Sequence, residues 1–465
     1  LALEGPISEF RKWLLEEEDK LPMEISELAI KKALKQGMDE VEVFSMKNIT
    51  TRYEYSREIQ SIRSAETIGL GLRVAKGKKT AIFATSLLNE KEIDVAVEKA
   101  AQLVKVTPED PNWHCLNKTY GKTPVPECYD ASVLNLDSSE VVENIEYTVA
   151  KVTDLDKRAR VTRGVTNVTI SNITIMNNYN EAVQQKGTNI YSNFFVNAVD
   201  GEESTGTATD TVRFWKELDF DSLAERTTEQ AIKYLKARPI ESTKIPVIIK
   251  NNLFAGILGI MLNPIINAEA AQKGRSPLAT QLNQQIAGEQ FTVSEDGTLP
   301  KGYHSKSFDA EGHPTQKNPI IEKGVFKTLL YDNYTAMRAN TESTGNAQRN
   351  NYWGGVTPGV HNLILESGRN SLETMIKDTK KGLFIERTIG EWLSQAASGE
   401  LKGTITHAFL IENGELTQPV TGVNFSGNFY QILKTGLESL GSDTKGTGNL
   451  YSPSVKLTEL TIAGK

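Results

Sequence analysis

The spacing of apolar residues changes repeatedly along this chain, from every second residue to the three-and-four spacing of a helix, and this change constrains the fold most. Val41 and Val43 alternate with Glu40 and Glu42, as expected for a half-buried strand. A helix capped by Asn89 is predicted further on. Because strands and helices do not alternate strictly along the chain, the pattern predicts an α+β fold rather than a doubly wound sheet. A second alternating strand contains Leu70, Leu72 and Val74, and the helical stripe consists of Ile93, Ala96, Val97, Ala100 and Val104.

The stretch 237–242 divides the chain into two parts of different character. We expect an N-terminal α+β domain of residues 23–238. A C-terminal domain of residues 239–465 is expected to have mixed and antiparallel sheets and to be rich in strands. Within it, a strand at 245–249 leads into a helix at 253–262. Further helices are predicted near 139–152, over 221–236 and from Ser371 to Gly382, and a strand is predicted over 165–176.

Two short pieces of similar sequence, at 321–325 and 411–415, predict tight hairpins. In each piece a two-residue turn with glycine second, Lys323-Gly324 or Asn413-Gly414, lies between apolar flanks. Such a turn requires positive φ at its central residues, which glycine and asparagine tolerate best.

Residues 1–22 differ from the rest of the chain. Phe10, Trp13 and Leu14 are spaced for one face of a helix, and Pro22 ends this pattern just before Met23. We expect this segment to be a tag or N-terminal extension, with a short docking helix as the alternative.

The composition limits the environments and partners that the chain suits. Its 52 basic and 59 acidic side chains give a formal net charge of −7, and neither sign forms a long block. Nucleic-acid binding needs a concentrated basic patch, so direct contact with nucleic acid is not expected. We find no apolar run near the roughly 18 residues of a membrane helix, and no secretion signal. The sequence therefore predicts a cytoplasmic protein without a membrane segment.

The histidines restrict the possible chemistry. The chain has five of them, and no two lie within five residues of each other, which excludes a zinc motif carried on one helix. A site assembled from His304, His313 and a carboxylate such as Asp309 or Glu311 stays open, with solvated loop histidines as the alternative. Ser426 lacks the surroundings of a nucleophile elbow. Glycines 69 and 71 precede a strand rather than a helix, so they do not form a phosphate-binding loop.

The segment 344–355 differs from an ordinary loop because it combines amide side chains, a cation, two aromatic rings and several glycines. Asparagine and glutamine can donate to and accept from an extended peptide backbone, while tyrosine and tryptophan offer flat apolar contact. The alternative is a structured turn whose asparagines bond to its own backbone. The candidate contacts with a peptide or partner are Thr344, Gly345, Asn346, Arg349, Tyr352 and Trp353.

A series of sequence blocks in the second half of the chain carries a family resemblance. They lie at 248–252, 268–278, 308–315, 321–330, 343–346, 409–415, 425–429 and 452–455, and include Ser343-Thr344-Gly345-Asn346 and Phe425-Ser426-Gly427-Asn428. In this order they resemble the C-terminal half of the TldD/PmbA family. Residues 64–74 fit its N-terminal half more loosely.

The resemblance implies a two-domain α+β chain in a paired assembly. In the catalytic branch, the helix after the strand at 246–250 carries H-E-x-x-x-H, and a cysteine lies near the C-terminus. Here that helix, Phe254 to Pro264, holds no ligand, and no cysteine follows Cys128. The chain is thus similar to the PmbA or TldE-like branch, for which the resemblance implies no catalytic residue, no bound metal and no cofactor.

The resemblance further implies a subunit that pairs with a TldD-like, zinc-bearing paralogue, or with a second copy of itself, and helps to enclose peptide substrates. Two alternatives are a stand-alone homodimer that binds peptides or serves a structural role, and a metal-independent hydrolase using His407 or Ser426. The family is also associated with modulation of DNA gyrase, but the acidic balance argues against direct DNA binding.

Overall fold

The computed structural model describes residues 21–464, and side chains from residue 23 except those of 180 and 181. The extension or docking helix was predicted for residues 1–22, and residues 1–20 of it lie outside the described part of the chain. The rest forms the expected α+β fold with a strand-rich C-terminal half. No helix within 21–464 has both the length and the apolar character needed to cross a membrane.

From residue 21 onward, the first half forms one six-stranded antiparallel sheet with four α-helices. The strand order is β3-β2-β1-β4-β5-β6, and every neighbouring pair is antiparallel. The first two helices pack on β1 and β2 in one apolar core, and the next two pack on β4 and β5 in another. The strands are β1 Glu40–Tyr55, β2 Ile59–Lys76, β3 Lys79–Thr85, β4 Ala159–Asn177, β5 Asn180–Val199 and β6 Glu203–Val212, and the helices are α1 Leu21–Lys35, α2 Glu90–Val106, α3 Ser138–Leu155 and α4 Phe220–Lys233.

The second half contains a seven-stranded and a six-stranded mixed sheet. In the larger sheet β14 pairs with both β7 and β15, which closes β14, β7, β21, β17 and β15 into a ring. The smaller sheet has the order β10-β9-β8-β13-β20-β19, and β11 pairs with β12 separately. The strands are β7 Thr243–Ile249, β8 Val293–Asp296, β9 Lys317–Glu322, β10 Val325–Phe326, β11 Ala347–Gln348, β12 Thr357–Pro358, β13 Leu363–Leu365, β14 Lys381–Ile389, β15 Glu400–Glu412, β16 Glu415–Val420, β17 Val423–Asn428, β18 Leu437–Leu440, β19 Lys445–Thr447, β20 Leu450–Ser452 and β21 Val455–Ala463. The helices are α5 Asn251–Met261, α6 Ala268–Gln272, α7 Asn333–Ala339, α8 Leu372–Lys377 and α9 Phe429–Gln431.

The local sequence signals account for several of these boundaries. The Asn89 side chain accepts from the Glu92 N–H at the start of α2, as predicted. Lys323 and Gly324 have φ of +48° and +77°, so the β9–β10 turn takes the predicted hairpin conformation. Asn413 and Gly414, with φ of +54° and +85°, do the same between β15 and β16.

Three predictions of local structure were wrong. The helix predicted from Ser371 to Gly382 ends at Lys377, and Gly382 lies in β14, because the apolar residues that follow are buried in a sheet. Gly69 and Gly71 lie inside β2 rather than before it. The start of β1 is buried on both faces rather than half-buried, since residues of the second half cover the face that carries Glu42.

The two halves share a small apolar core at the middle of the first sheet. Phe44 and Ile175, from β1 and β4, are buried together with Phe308, Ala310 and Ala347 of the second half. This packing brings the loop at 303–316 and the segment 344–355 against the sheet.

Candidate functional site

Helix α5 occupies the place where the resemblance implies a zinc motif, and its residues do not fit a metal. It follows β7 directly, and one side of it is buried in the core of the second half. Gly259 faces β20 so closely that a Cβ there would lie 2.5 Å from Leu450 Cδ1. Zinc binds through imidazole, thiolate or carboxylate groups, and α5 carries none of these. The buried residues of α5 are Phe254, Ala255, Ile257, Leu258 and Met261.

Across the part of the chain that the structure describes, no group of three or more His, Cys, Asp or Glu side chains is placed to hold a metal ion. The carboxylates that the sequence left open for such a site have other partners. Asp309 accepts from the backbone N–H groups of Glu311 and Ala347, at 2.8 and 3.0 Å. Glu311 in turn forms an ion pair with Arg73, and the His313 ring is 3.0 Å from the Pro314 carbonyl oxygen.

A polar cleft of about 190 Å³ lies at the start of α5. Its charges are paired within the chain: Lys250 Nζ lies 2.8 Å from Glu386 Oε1, and Arg226 Nη2 lies 2.6 Å from Asp210 Oδ2. Burial raises the pKa of Glu386, but the charge and hydrogen bond of Lys250, the hydrogen bond from Tyr234 and the charge of Lys233 together lower it below the ordinary value. The cleft therefore contains a charge network that is satisfied without a ligand.

The first part of the predicted contact segment is held by bonds within the second half. Thr344 Oγ1 accepts from the Tyr331 N–H at 2.8 Å. Gly345 has φ of +69°, and a Cβ there would lie 2.4 Å from the Pro314 carbonyl oxygen, so glycine is required. The buried Asn346 amide donates to the Gly359 carbonyl oxygen at 3.0 Å and accepts from Asn318 at 3.0 Å. These three residues fix the backbone of the segment through contacts within the second half.

Arg349 belongs to a group of four buried charges that we call the paired cluster, made of Glu42, Arg73, Glu311 and Arg349. One Glu42 oxygen accepts from Arg73 at 2.8 Å and the other pairs with Arg349. Arg73 also bonds Glu311 at 2.7 Å. Burial opposes the charge of Arg73, but Glu42 and Glu311 raise its pKa above the ordinary value. Two cations and two anions thus join the first sheet to the second half with no net charge.

Tyr352 and Trp353 lie where the segment crosses β2. A Cβ on Gly71 would lie 1.8 Å from the Tyr352 carbonyl oxygen, and one on Gly69 would lie 2.3 Å from the Tyr352 ring. The two glycines therefore allow the segment to approach the strand closely. Trp353 meets the Tyr352 ring edge-on at 4.6 Å and is 55% exposed, which makes it available to a partner or ligand.

A larger cleft of about 380 Å³, here called the sheet cleft, opens between β1, β4, β5 and the loop at 303–310. Arg349 lines it, together with Arg213, His304 and Lys306. His304 is exposed to this cleft, but the surrounding protein removes much of the water from its ring. This loss of hydration, followed by the charge of Lys306, lowers the pKa of His304 to about 4. Arg213 and Lys306 had no signal in the sequence, because only the packing of the loop against the sheet brings them together.

Comparison with known proteins gives matches over most of the chain. Residues 42–104, 132–235 and 242–464 match domain 1, the central domain and the C-terminal domain of the PmbA/TldA metallopeptidases. An uncharacterized protein of Methanocaldococcus jannaschii is 27% identical over 430 residues, covering 92% of this chain and 97% of its own length.

A metalloprotease PmbA homolog of Haemophilus influenzae is 24% identical over 418 residues and covers 88% of each chain. The crystal structure of TldE from Thermococcus kodakarensis is similar in fold, with a TM-score of 0.87 at 25% identity. That similarity covers 95% of this chain and 100% of the TldE chain.

Proposed function

The chain belongs to the PmbA/TldD metallopeptidase family, and from this premise we propose that it is a non-catalytic, PmbA/TldE-like subunit of a TldD-type metallopeptidase complex. Its partner is a TldD-like paralogue that bears zinc on H-E-x-x-x-H. In the complex the chain helps to enclose extended or unfolded peptides and to present them for cleavage.

The observation that carries this proposal is the residue content of α5. Peptide hydrolysis at zinc uses imidazole ligands to hold the ion and a glutamate to take a proton from the attacking water. On α5 the residues are asparagine, leucine, phenylalanine, alanine, glycine, isoleucine and methionine. Nearly half of the helix is buried in the core, so it retains a packing role without the donor atoms of a zinc site.

The similarity to TldE supports the same assignment, because it extends over essentially the whole of both chains. The similarity shows the fold and supports the proposed TldE-like branch. The partner and the substrate are our proposal.

We propose that the segment 344–355 contributes to the contact with peptide or partner through Tyr352 and Trp353. Exposed aromatic rings supply large contact areas at low cost in side-chain entropy. The backbone that presents the two rings is fixed by the buried contacts of the preceding residues, which are Thr344, Gly345, Asn346 and Arg349.

The test is reconstitution with the H-E-x-x-x-H paralogue from the same genome. We expect a stable complex on size exclusion at micromolar concentration, with peptidase activity on an unfolded protein or peptide library above that of either chain alone. A second preparation, in which the glutamate of the partner's motif is changed to glutamine, should form the same complex without activity. Separate elution of the two chains, with no gain in activity on mixing, would contradict the proposal.

The contact segment is tested by Trp353→Ala, with Trp392→Ala as the matched control. Both tryptophans are exposed, at 55% and 62%, so neither change should unfold the chain. We expect Trp353→Ala to weaken complex formation or peptide turnover at least several-fold and Trp392→Ala to leave both near the unchanged values. The reverse result would move the proposed contact away from segment 344–355.

The alternatives give different outcomes in the same experiments. A stand-alone protein would elute as a symmetric dimer whose properties do not change when the paralogue is added. A metal-independent hydrolase would turn over peptides in the presence of a chelator and lose this activity on changing His407 or Ser426. The geometry of His407 disfavours this last role, because its Nε2 lies 2.8 Å from the Thr205 carbonyl oxygen and its Nδ1 2.9 Å from Thr406 Oγ1.

A further inference from the structure

The sheet cleft combines an apolar floor with polar groups that have no partner. Phe44, Met46, Ile175 and Phe308 are among its lining residues, and Phe44, Ile175 and Phe308 are buried in the core that the two halves share. Its volume of about 380 Å³ is in the range of small-molecule sites, where apolar walls and a few placed polar groups hold the ligand. The floor suits the apolar body of an organic ligand.

Two cations that line the cleft, Arg213 and Lys306, form no ion pair with a carboxylate among the described residues. The guanidinium of Arg213 donates to the backbone carbonyl oxygens of Gly302, Thr188 and Ser305 at 2.9–3.0 Å. These acceptors satisfy its N–H groups but leave its positive charge without a counter-ion. For Lys306, the interactions within the described residues give the ammonium no hydrogen bond and no ion pair.

The nearest carboxylate does not compensate for these charges. Asp309 lines the same cleft, but its oxygens accept three backbone N–H groups, those of Glu311, His313 and Ala347. Burial and the neighbouring charge of Glu311 raise the pKa of Asp309, which disfavours its negative form. Burial likewise lowers the pKa of Lys306, as expected for an ammonium that lacks an anion.

Two residues that line the cleft, Arg349 and Asn48, each carry a buried polar atom with no partner among the described residues. Nη1 of Arg349 is buried without a hydrogen-bond acceptor, although the rest of that guanidinium bonds Glu42 and the Ala310 carbonyl oxygen. Oδ1 of Asn48 is buried without a donor. Buried polar groups are rarely left unpaired, and each one that is calls for an explanation. The cleft thus has unused donors on Lys306 and Arg349 and an unused acceptor on Asn48.

From this arrangement we propose that the sheet cleft binds a carboxylate-bearing ligand with an apolar body, and that Lys306 contacts the carboxylate. A single negative charge matches the Lys306 ammonium, for which the described residues supply no hydrogen bond and no ion pair. A phosphate fits less well, because the N–H groups of the Arg213 guanidinium already donate to carbonyl oxygens and are not free to bind a phosphate in a bidentate way. An N–H next to the carboxylate would satisfy Asn48, as in the last residue of a peptide.

The carboxylate can come from a peptide C-terminus or from an acidic side chain or free acid, and the experiment separates these sources. The full chain, without any partner, is titrated by calorimetry with acetyl-Ala-Ala-Phe bearing a free carboxyl group. Parallel titrations use the same peptide as its C-terminal amide, acetyl-Ala-Asp-Ala amide, and hexanoate. A peptide C-terminus predicts binding of the first compound and a loss of about tenfold or more for its amide. If the aspartyl peptide or hexanoate binds as tightly as the free-acid peptide or more tightly, the site still binds a carboxylate. Its ligand is then an acidic side chain or a free acid rather than a peptide C-terminus.

The variants show whether Lys306 makes the contact. We expect Lys306→Met to weaken binding about tenfold or more, Lys306→Arg to retain part of it, and the exposed Lys317→Met to leave it unchanged. Absence of carboxylate binding, or binding that Lys306→Met does not weaken, would overturn the proposal, as would saturable binding of inorganic phosphate alone. Since no partner takes part, a negative result here leaves the reconstitution test unaffected.

Discussion

The paired cluster and the sheet cleft are neighbouring groups of buried charge that differ in how the charge is balanced. In the paired cluster, Glu42 and Glu311 neutralise Arg73 and Arg349. In the sheet cleft, the cations Arg213 and Lys306 have no carboxylate partner within residues 21–464. Arg349 belongs to both, with one amino group bonded to Glu42 and the other unpartnered.

The difference indicates which charges serve the fold and which are available for a ligand. A buried charge is costly unless a counter-charge and hydrogen bonds offset its lost hydration. The paired cluster meets this condition within the chain and joins the first sheet to the second half. The sheet cleft does not meet it, so its charges add little to stability while leaving a preference for an anion.

The largest effect is expected from Glu42→Gln in the paired cluster. The change leaves the buried side chains of Arg73 and Arg349 with one carboxylate, Glu311, which pairs with Arg73. Removing one partner of a buried pair typically costs about 3–5 kcal/mol in the free energy of unfolding. Urea denaturation should show this loss, with a lower midpoint.

The control for this change is Glu54→Gln, which removes a carboxylate that pairs with Arg52 at the surface of the same strand. Exposed pairs contribute little to stability because water and salt screen them, so this change should leave the urea midpoint nearly unchanged. If both variants lost the same stability, the paired cluster would not differ from a surface ion pair, and the contrast with the sheet cleft would fail.

A buried histidine that forms no ion pair among the described residues, His407, extends the comparison to the pH dependence of stability. His407 is 6% exposed, and its neutral ring can donate from Nε2 to the Thr205 carbonyl oxygen and accept at Nδ1 from Thr406. Burial, followed by the charge of Arg387, lowers its pKa from 6.5 to about 4. The unfolded chain therefore takes up this proton below pH 6.5, whereas the folded chain does so only near pH 4, and the free energy of unfolding falls as the pH drops through that window.

We expect this group to account for up to about 3 kcal/mol between pH 7.5 and pH 4. His407→Gln can keep an N–H for Thr205 and does not titrate, so its unfolding free energy should fall less over the same range. Both proteins retain His304, whose contribution cancels in the difference. Parallel pH profiles for the two proteins would show that His407 is not held neutral.

The fold could be predicted from the sequence where the signal is local. The cap of α2 and the two hairpin turns depend on residues a few positions apart, and they formed as expected. For Gly69 and Gly71 the predicted position before the strand was wrong, although the sequence held a usable signal. Their signal was an isolated pair of glycines beside alternating apolar residues, which indicates close approach of another backbone to a strand. The segment at Tyr352 makes that approach.

The paired cluster could not be predicted because its members meet only in the tertiary structure. Glu42 and Arg349 are 307 positions apart, and Arg73 and Glu311 are 238 apart. Glu42 alternates with valines, a pattern that indicates a solvent-facing residue, yet the second half covers it. The sheet cleft is hidden for the same reason, since nothing in the sequence around Lys306 shows which strand will face it.

The smallest effect is expected from Lys306→Met, judged by stability rather than by binding. The methionine side chain suits a half-buried site, and no ion pair or hydrogen bond of the Lys306 ammonium is lost within the described residues. Replacing a buried charge by an apolar group is often neutral or stabilising, so the free energy of unfolding should rise or stay the same, with a change of less than about 1 kcal/mol. The same urea series as for Glu42→Gln measures it. A loss as large as that of Glu42→Gln would mean that Lys306 is balanced within the chain after all, and the distinction between the two groups of charge would disappear.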